Sequence, residues 1–251
     1  MQVSRQTIRG RIAALLGVLL TAVSLIVAVP APAQAAAANP VLVVAGILEP
    51  VHMVDTLANR LRGDGFTVRT MELPGLGHGD IALSAPAVRD AVSALRAETG
   101  AAKVDIVAHS EGGLASRYYI KFLGGDTQVG RLVMLATPNY GAVVGNMGIC
   151  IPTFSAACWQ MSMGSDFLNN LNAGDDTPGA VKYTSLATLY DEFVRPTSNA
   201  FLQDGATNAY VQSYCPLRVV YHIEMIYEHF VENLVRSALR DQPLSANCWL
   251  I

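Results

Sequence analysis

Charged residues are scarce in this chain, and cations hold no excess over anions. Of the 251 residues, 15% are charged, with 17 Lys and Arg against 20 Asp and Glu, and the formal net charge is −3. A nucleic-acid binder needs a clustered excess of Lys and Arg, so the sequence argues against nucleic acid as a partner. Hydrophobic residues make up 51% of the chain. That fraction excludes intrinsic disorder and is enough for a sizeable core.

Cysteine is also sparse, and its spacing argues against a metal centre. The chain has four cysteines, and no two stand at the close spacing of a zinc ligand pair, so we expect no metal. Four cysteines allow three disulfide connectivities, which sequence alone does not distinguish. We favour Cys150 with Cys158, which closes a short loop. Cys215 with Cys248 would then tie the C-terminal tail to the chain just before the last predicted strand.

A single long hydrophobic run is present, near the start of the sequence. It covers residues 12–29, follows three arginines without any acid, and precedes a small-x-small sequence at 33–35. This order is typical of a secretory signal peptide over residues 1–35. We therefore expect cleavage after Ala35 and export of residues 36–251 as a single-domain, extracellular protein.

An uncleaved membrane anchor is the alternative interpretation of this run, because it is long enough to span a bilayer. Pro30 and Pro32 interrupt a helix just before the small residues, which favours cleavage. No later stretch is long and apolar enough to span, so we expect no stable membrane span after cleavage. Disulfides persist in the exported compartment, which suits the expected cysteine pairs.

Strand-like and helical patterns alternate after the leader. The predicted strands are 41–44, 66–71, 104–108, 131–136, 183–187 and 217–221, and the predicted helices are 51–62, 87–99, 113–123 and 225–239. The strands are aliphatic throughout rather than alternating in polarity, which indicates burial on both faces. The sequence therefore predicts the α/β class, with a mostly parallel central sheet covered by helices on both faces. Functional loops should lie at the carboxyl ends of the strands.

Ser110 is the strongest candidate for a nucleophile. It lies in the sequence Ala-His-Ser-Glu-Gly-Gly at 108–113, directly between a predicted strand and a predicted helix. This is the context of a nucleophile elbow, whose tight turn requires small residues two positions before and after the serine. Ala108 and Gly112 meet that requirement. The alternative is an ordinary Ser-Gly loop that joins a strand to a helix.

A serine hydroxyl needs a base, and the base needs an orienting carboxylate. His222 comes directly after the predicted strand 217–221, at the loop edge where a late histidine of such a triad belongs. His229 is the serious rival, although it falls inside the predicted last helix. Asp191 follows the predicted strand 183–187 and lies between serine and histidine in chain order, so we expect it to hold the His222 tautomer.

An oxyanion also needs hydrogen-bond donors. We expect the backbone N–H of Glu111, which follows the nucleophile, and the N–H of Ile47, in the turn after the first strand. Gly46 would let the chain approach the substrate closely. Alternatively, Ala45 and Gly46 simply end a strand.

The chain resembles the secreted class 2 lipases of bacteria, which have an Ala-His-Ser-x-Gly-Gly elbow, and its later half is similar to the fungal lipase B type. The matching stretches are 41–46, 72–77, 103–113, 136–138, 160–172, 183–196 and 215–222. The resemblance implies an α/β-hydrolase fold, a carboxylic ester as substrate and no cofactor.

Four residues depart from the pattern of these relatives. Ala45 replaces a histidine, Ile47 lacks the hydroxyl that some relatives supply to the oxyanion, and Tyr221 stands where an aspartate often precedes the histidine. Glu111 stands where Gln or Met is more common, and an anion beside the nucleophile would oppose attack. Oxyanion stabilisation is then expected to rest on two backbone groups.

The expected function is that of a secreted serine ester hydrolase, a triacylglycerol lipase or a carboxylesterase, acting as a monomer. Residues 141–163 are long, largely apolar and rich in Met, and they form either a lid or acyl-binding wall for a water-insoluble ester or a buried helical excursion. In the first case the substrate would be met at an oil–water interface. The alternative from another class is a catalytically silent hydrolase-fold protein that binds apolar ligands.

Overall fold

A parallel sheet forms the centre of the structure, a computed structural model that describes residues 38–143, 150 and 155–249. Its strands are β1 (Val41–Val44), β2 (Val68–Met71), β3 (Val104–His109), β4 (Val129–Leu135), β5 (Lys182–Ala187) and β6 (Thr207–Tyr210). In the described ranges they run in the order β2-β1-β3-β4-β5-β6, and every neighbouring pair is parallel. The predicted α/β class with a parallel sheet is confirmed.

Helices cover both faces of this sheet. They are α1 (Asp55–Gly63), α2 (Ile81–Thr99), α3 (Glu111–Phe122), α4 (Ala156–Gln160), α5 (Asp166–Asn172) and α6 (His229–Leu239). Helices α1 and α6 pack on one face, and α2, α3, α4 and α5 contribute to the core on the other. Short 3-10 turns at Val51–Val54 and Ile223–Ile226 precede α1 and α6.

Strand β1 shows why the sheet sequences are aliphatic throughout. Leu42 and Val44 pack in one core cluster, and Val41 and Val43 pack in the other, with at most 1% of any of them exposed. Successive side chains of a strand point to opposite faces, so a sheet with two covered faces needs apolar residues at every position.

Helix α2 is longer than the sequence predicts. It begins at Ile81 rather than at residue 87, because the side chain of Asp80 caps it by accepting a hydrogen bond from the N–H of Ala82 at 2.7 Å. Pro86 lies inside the helix near its start. Gly100 ends it with a positive φ of 69°, a conformation that glycine adopts without strain.

The predicted strand at 217–221 is wrong. The last strand of the described chain is β6, and Cys215 follows it rather than preceding the last strand. Side chains use the backbone groups that a strand would offer, because Thr188 Oγ1 donates to the Val220 carbonyl and Glu224 accepts from the Tyr221 N–H. Apolar residues at 217–221 raised the strand propensity without a partner strand to satisfy it.

The predicted disulfide pairs are both formed: Cys150 is bonded to Cys158, and Cys215 to Cys248. Much of the predicted lid or excursion, residues 144–149 and 151–154, lies outside the described residues, as does the predicted leader over 1–35. In the part of 141–163 that is described, Met161 is buried in the core, whereas Trp159 and Met163 are exposed. Among the described helices, none has the length and apolarity to cross a bilayer.

Candidate active site

Ser110 lies between β3 and α3 in a strained backbone conformation. Its φ is 49° and its ψ is −125°, and its N–H donates to the Leu135 carbonyl of β4 at 2.9 Å. A positive φ is costly for a residue with a Cβ and persists only where the surrounding structure imposes it. The sharp turn at the carboxyl end of a central strand is the geometry of a nucleophile elbow.

Two glycines make room for this turn. A Cβ on Gly112 would lie 2.6 Å from the Ala45 carbonyl oxygen, and a Cβ on Gly46 would lie 2.9 Å from Ser110 Cβ. Both distances are too short for a real contact. The predicted requirement for a small residue two positions after the serine therefore has a steric cause, since α3 begins directly against the end of β1.

His222 and Asp191 form a buried hydrogen-bonded pair. His222 Nδ1 lies 2.9 Å from Asp191 Oδ2 and 3.1 Å from Oδ1. Asp191 Oδ1 also accepts hydrogen bonds from the N–H groups of Phe193 and Val194, which fix the carboxylate. The carboxylate therefore directs the proton of the imidazole to Nδ1 and leaves Nε2 as the basic nitrogen.

Loop contacts, rather than a strand, place His222. The Thr188–Val220 hydrogen bond joins the loop that carries Asp191 to the loop that carries His222. The backbone N–H of His222 donates to Glu192 Oε2 at 3.0 Å. Glu192, the neighbour of Asp191, thus supports the backbone of the histidine.

Ser110 and His222 are both buried at this end of the sheet, and each is about 3% exposed. The ring of His109, the residue before the serine, lies 4.8 Å from the ring of His222, centroid to centroid. No hydrogen bond joins Ser110 to His222 within the described part of the chain. Nucleophile–base hydrogen bonds are commonly long without substrate and tighten as the reaction proceeds.

His229, the predicted rival of His222, lies in α6 and contacts a different carboxylate. It is the first residue of α6, and its Nε2 lies 3.5 Å from Glu232 Oε2 on the same helix. Partial burial, with the charges of Arg60 and Arg236, lowers the pKa of His229. No contact links it to Asp191 or Ser110 among the described residues.

The two predicted oxyanion donors have no partner within the described chain: neither the Ile47 N–H nor the Glu111 N–H donates to another protein group. The Ile47 turn is held by its neighbour, because the Leu48 N–H donates to the Leu76 carbonyl at 2.8 Å. The Glu111 N–H belongs to the first turn of α3, where backbone donors point out of the helix. Neither N–H group is therefore committed to a protein acceptor in the described structure.

The side chain of Glu111 is buried and its two oxygens have no hydrogen-bond partner in the described structure. A Cβ on Gly77 would lie 2.5 Å from Glu111 Oε2, so the carboxyl group reaches the turn beneath Ile47. Burial, and then the charge of Glu49, raise the pKa of Glu111 well above its usual value. Burial therefore disfavours the ionised form of this carboxyl group, which the sequence alone did not indicate.

A buried ion pair of Glu49 and His109 lies next to these residues. His109 Nδ1 lies 2.5 Å from Glu49 Oε1, and the two residues are 60 positions apart. Burial alone would raise the pKa of Glu49, but the charge and hydrogen bond of His109 and the Gly46 N–H together lower it. An acid in the otherwise apolar turn after β1 is the only sequence signal for this pair.

Three aspartates, Asp175, Asp176 and Asp204, bring carboxylate oxygens within 4.8 Å of one another. The oxygens of Asp176 already accept hydrogen bonds from the Tyr140 hydroxyl and from the N–H groups of Gln203 and Asp204. These bonds close a loop, and they account for the cluster without a metal.

A parallel sheet, a strained serine at a strand–helix turn and a histidine–carboxylate pair in later loops are the features of the α/β-hydrolase class. Within that class, the chain belongs to the class 2 lipases: the family model described as Lipase (class 2) matches residues 84–235.

Relatives and solved structures agree with this membership. The chain is 27% identical to lipase B of Pseudozyma antarctica over an alignment of 183 residues, and the match covers 70% of this chain and 54% of that protein. It therefore spans about half the length of this curated relative. The fold matches that of Aspergillus fumigatus lipase B with a TM-score of 0.70 at 19% identity, over 85% of this chain and 55% of the other. The mature form of Bacillus licheniformis lipase BlEst2 matches with a TM-score of 0.62 at 19% identity, over 76% of this chain and 87% of the other.

Proposed function

We propose that the protein is a serine ester hydrolase that cleaves carboxylic esters, with Ser110 as nucleophile, His222 as general base and Asp191 as the orienting carboxylate. The observation that carries the proposal is the buried hydrogen bond between His222 Nδ1 and Asp191 at 2.9 Å, at the same end of the sheet as a strained serine. Membership of the class 2 lipases supports the same chemistry.

Acylation begins when the Ser110 hydroxyl attacks the carbonyl carbon of the ester. His222 Nε2 takes the hydroxyl proton as the Oγ–carbon bond forms, and the Asp191 carboxylate stabilises the resulting imidazolium. The N–H groups of Ile47 and Glu111 donate to the oxyanion of the tetrahedral intermediate. His222 then gives its proton to the leaving alcohol as the ester bond breaks, and the acyl group stays on Ser110.

Deacylation repeats these steps with water. His222 takes a proton from water as the water oxygen attacks the acyl carbon, and a second tetrahedral intermediate forms. The intermediate collapses with proton return to Ser110 Oγ, which releases the carboxylic acid. No cofactor takes part in this proposed cycle, because the triad and the two backbone donors supply every proton and hydrogen bond.

Exposed apolar side chains in the loops that carry Asp191 and His222 support a lipid ester as the substrate. Leu189 and Tyr190 precede Asp191 in its loop, and Leu217, Val219 and Tyr221 precede His222 in the neighbouring loop; all five are exposed, Leu217 to 95%. Where such side chains form a contiguous patch, they mark contacts with apolar partners. We propose that these two loops meet a water-insoluble ester at an oil–water interface.

The proposed place of action is outside the cell. The N-terminal pattern of arginines, apolar run and small-x-small site supports export with cleavage after Ala35, and two disulfides suit an oxidising compartment. The exported product would be a monomer of residues 36–251. Mass spectrometry of protein from the medium should give a mature chain that starts at residue 36, and a chain that keeps residues 1–35 would contradict cleavage.

Steady-state kinetics test the proposed function. Hydrolysis of p-nitrophenyl esters of increasing acyl length should be measured beside an emulsified triglyceride. Ser110→Ala and His222→Gln should each lower kcat by roughly 10³-fold or more, since each removes one member of a concerted unit. His229→Gln is the matched control and should stay within about threefold of wild type.

Three outcomes would contradict the proposal. Near wild-type turnover by Ser110→Ala would show that Ser110 is not the nucleophile. Loss of activity in His229→Gln but not in His222→Gln would show that His229 is the base. A folded wild-type protein that hydrolyses none of the esters would favour the silent, ligand-binding alternative. A rate on emulsified triglyceride above that on short soluble esters would identify a lipase rather than a carboxylesterase.

A further inference from the structure

His109 is enclosed between two hydrogen-bond acceptors. One ring nitrogen, Nδ1, lies 2.5 Å from Glu49 Oε1, and the other, Nε2, lies 3.0 Å from the backbone carbonyl oxygen of His222. The imidazole and the carboxylate are at least 98% buried. Water therefore does not compete for either contact.

With Glu49 ionised, as its lowered pKa favours, this geometry determines the protonation of the ring. An ionised carboxylate and a backbone carbonyl have no proton to give, so each can only accept a hydrogen bond. Both contacts are hydrogen bonds only if both nitrogens of His109 carry a proton, which makes the ring an imidazolium. Burial alone would lower the pKa of His109, but the charge and hydrogen bond of Glu49, with the His222 carbonyl, raise it.

Glu49 extends the same chain of hydrogen bonds to the turn after β1. Its second oxygen, Oε2, accepts from the Gly46 N–H at 2.6 Å. Gly46 precedes Ile47, the proposed oxyanion donor. A continuous series of three hydrogen bonds thus runs from the oxyanion turn through Glu49 and His109 to the backbone of His222.

We propose that Glu49 and His109 form a positioning pair, in which a permanently protonated His109 holds the His222 backbone and the Gly46 turn in one fixed relation. This inference rests on the proposed function, because it assigns the pair to the base and to the oxyanion donors of that reaction. Neither residue exchanges a proton with the substrate. Their effect is on the distance between the two halves of the site.

The need for such a pair follows from the way the two halves are placed. His222 lies in a loop beyond β6, the last described strand, and this loop makes no sheet hydrogen bonds among the described residues. The oxyanion turn follows β1, which neighbours β3 on the side away from β4. The Val220 and Glu192 contacts join the His222 loop to the Asp191 loop, whereas the His109 contact joins it to the end of β3. A displacement of about 1 Å in such a site costs up to roughly 100-fold in rate.

The protonation of His109 can be measured without activity. Nitrogen-15 NMR of histidine-labelled protein at pH 7.5 distinguishes an imidazolium, with two protonated nitrogens, from either neutral tautomer. We expect one histidine with two protonated nitrogens in wild type, assigned to His109 by its loss in His109→Gln. In Glu49→Gln the amide can donate to Nδ1 and still accept from Gly46, so the same ring should become neutral with its proton on Nε2.

Kinetics test whether the pair positions the site. Glu49→Ala should lower kcat on a soluble p-nitrophenyl ester by roughly 10- to 100-fold with KM changed less than about threefold, because alignment rather than substrate binding is lost. Glu49→Gln, which can keep all three hydrogen bonds, should recover most of that loss. Glu98→Ala removes an exposed carboxylate paired with Arg69 and serves as the control.

Each result decides a separate point. A neutral His109 in folded wild type overturns the imidazolium, and unchanged kcat in Glu49→Ala overturns the positioning role. If Glu49→Ala does not fold, His109→Gln replaces it in the kinetic test. The glutamine amide carries its nitrogen at one end only, so it cannot donate to both Glu49 and the His222 carbonyl. Unchanged kcat in His109→Gln would likewise overturn the positioning role. A wild type without esterase activity defeats the proposed function, while the NMR result still decides the ion pair.

Discussion

Ser110 has a positive φ although it is not a glycine, and its neighbours allow this conformation because they are small. Gly46 and Gly112 leave the space in which the serine turn fits against the end of β1. The sequence predicted this local arrangement, since the elbow requires small residues at set positions. It also predicted His222 and Asp191, from chain order and loop position, and the structure joins these two by a hydrogen bond. Their catalytic roles stay predictions.

Other residues of the site were not predictable from the sequence. The Glu49–His109 pair depends on contact between turns 60 positions apart, and no periodicity or motif encodes that contact. Glu111 stands in the motif, but its unpartnered burial depends on how α3 packs against the turn at Pro74–Gly77. Pairwise burial of polar groups is a property of the tertiary structure, so single-sequence patterns do not reveal it.

Glu111→Gln should stabilise the protein at alkaline pH. The folded state raises the pKa of Glu111 through burial and the charge of Glu49, so it binds the proton more tightly than the unfolded chain does. The contribution of this group to the free energy of unfolding is fully present below pH 4.5, the usual pKa of a glutamate. It is lost as the pH rises through the pKa of the folded state. Urea unfolding at pH 5 and pH 9 should show the advantage of the Gln variant growing with pH.

The control for this prediction is Glu98→Gln, which changes an exposed carboxyl. It should alter the free energy of unfolding by less than about 0.5 kcal/mol at either pH. An advantage of Glu111→Gln that is the same at both pH values, or that shrinks toward pH 9, would contradict the buried, proton-binding state of Glu111.

Among the elements, the contact between α3 and β1 leaves little room for change. A Cβ on Gly112 would meet the carbonyl oxygens of Ala45 and Val44 at 2.6 and 2.9 Å, and both are backbone atoms that cannot rotate away. Gly112→Ala should therefore lower the free energy of unfolding by about 1–3 kcal/mol. Gly63→Ala, in α1 with nothing within 4 Å, should instead raise it by about 0.4–1 kcal/mol. Urea unfolding measures both, and a fully stable Gly112→Ala would exclude the close approach.

Element prediction succeeded where burial on both faces makes a sequence uniformly aliphatic, as in β1, β3 and β4. It failed at the β6 edge of the sheet, although the other edge strand, β2, lies within the predicted 66–71. Strand β6 has two exposed residues, Thr207 and Asn208, and shows no apolar signal, whereas residues 217–221 show that signal without forming a strand. Strand β6 is defined by its pairing with β5 rather than by its own composition, so the sequence did not predict it.

At the scale of the whole molecule, the Cys215–Cys248 disulfide ties the C-terminal segment to the chain after β6. The two cysteines are 33 positions apart, against 8 for Cys150 and Cys158. In the chain-entropy model, replacing Cys215 and Cys248 with alanines should lower the free energy of unfolding by about 3–4 kcal/mol. Replacing Cys150 and Cys158 should lower it by about 2–3 kcal/mol. Guanidinium unfolding of both double variants tests this order. A larger loss from the short loop would contradict it.

The most direct test of the triad is covalent labelling of the serine. The exported protein should be exposed to a fluorophosphonate, whose phosphorus forms a bond to an activated serine oxygen with loss of fluoride, and then be examined by intact-protein and peptide mass spectrometry. We expect one adduct per chain, on the peptide that contains Ser110, which is absent in Ser110→Ala and forms far more slowly in His222→Gln. A folded protein that takes up no probe, or that is labelled as fast without His222 as with it, would show that Ser110 is not activated by this histidine.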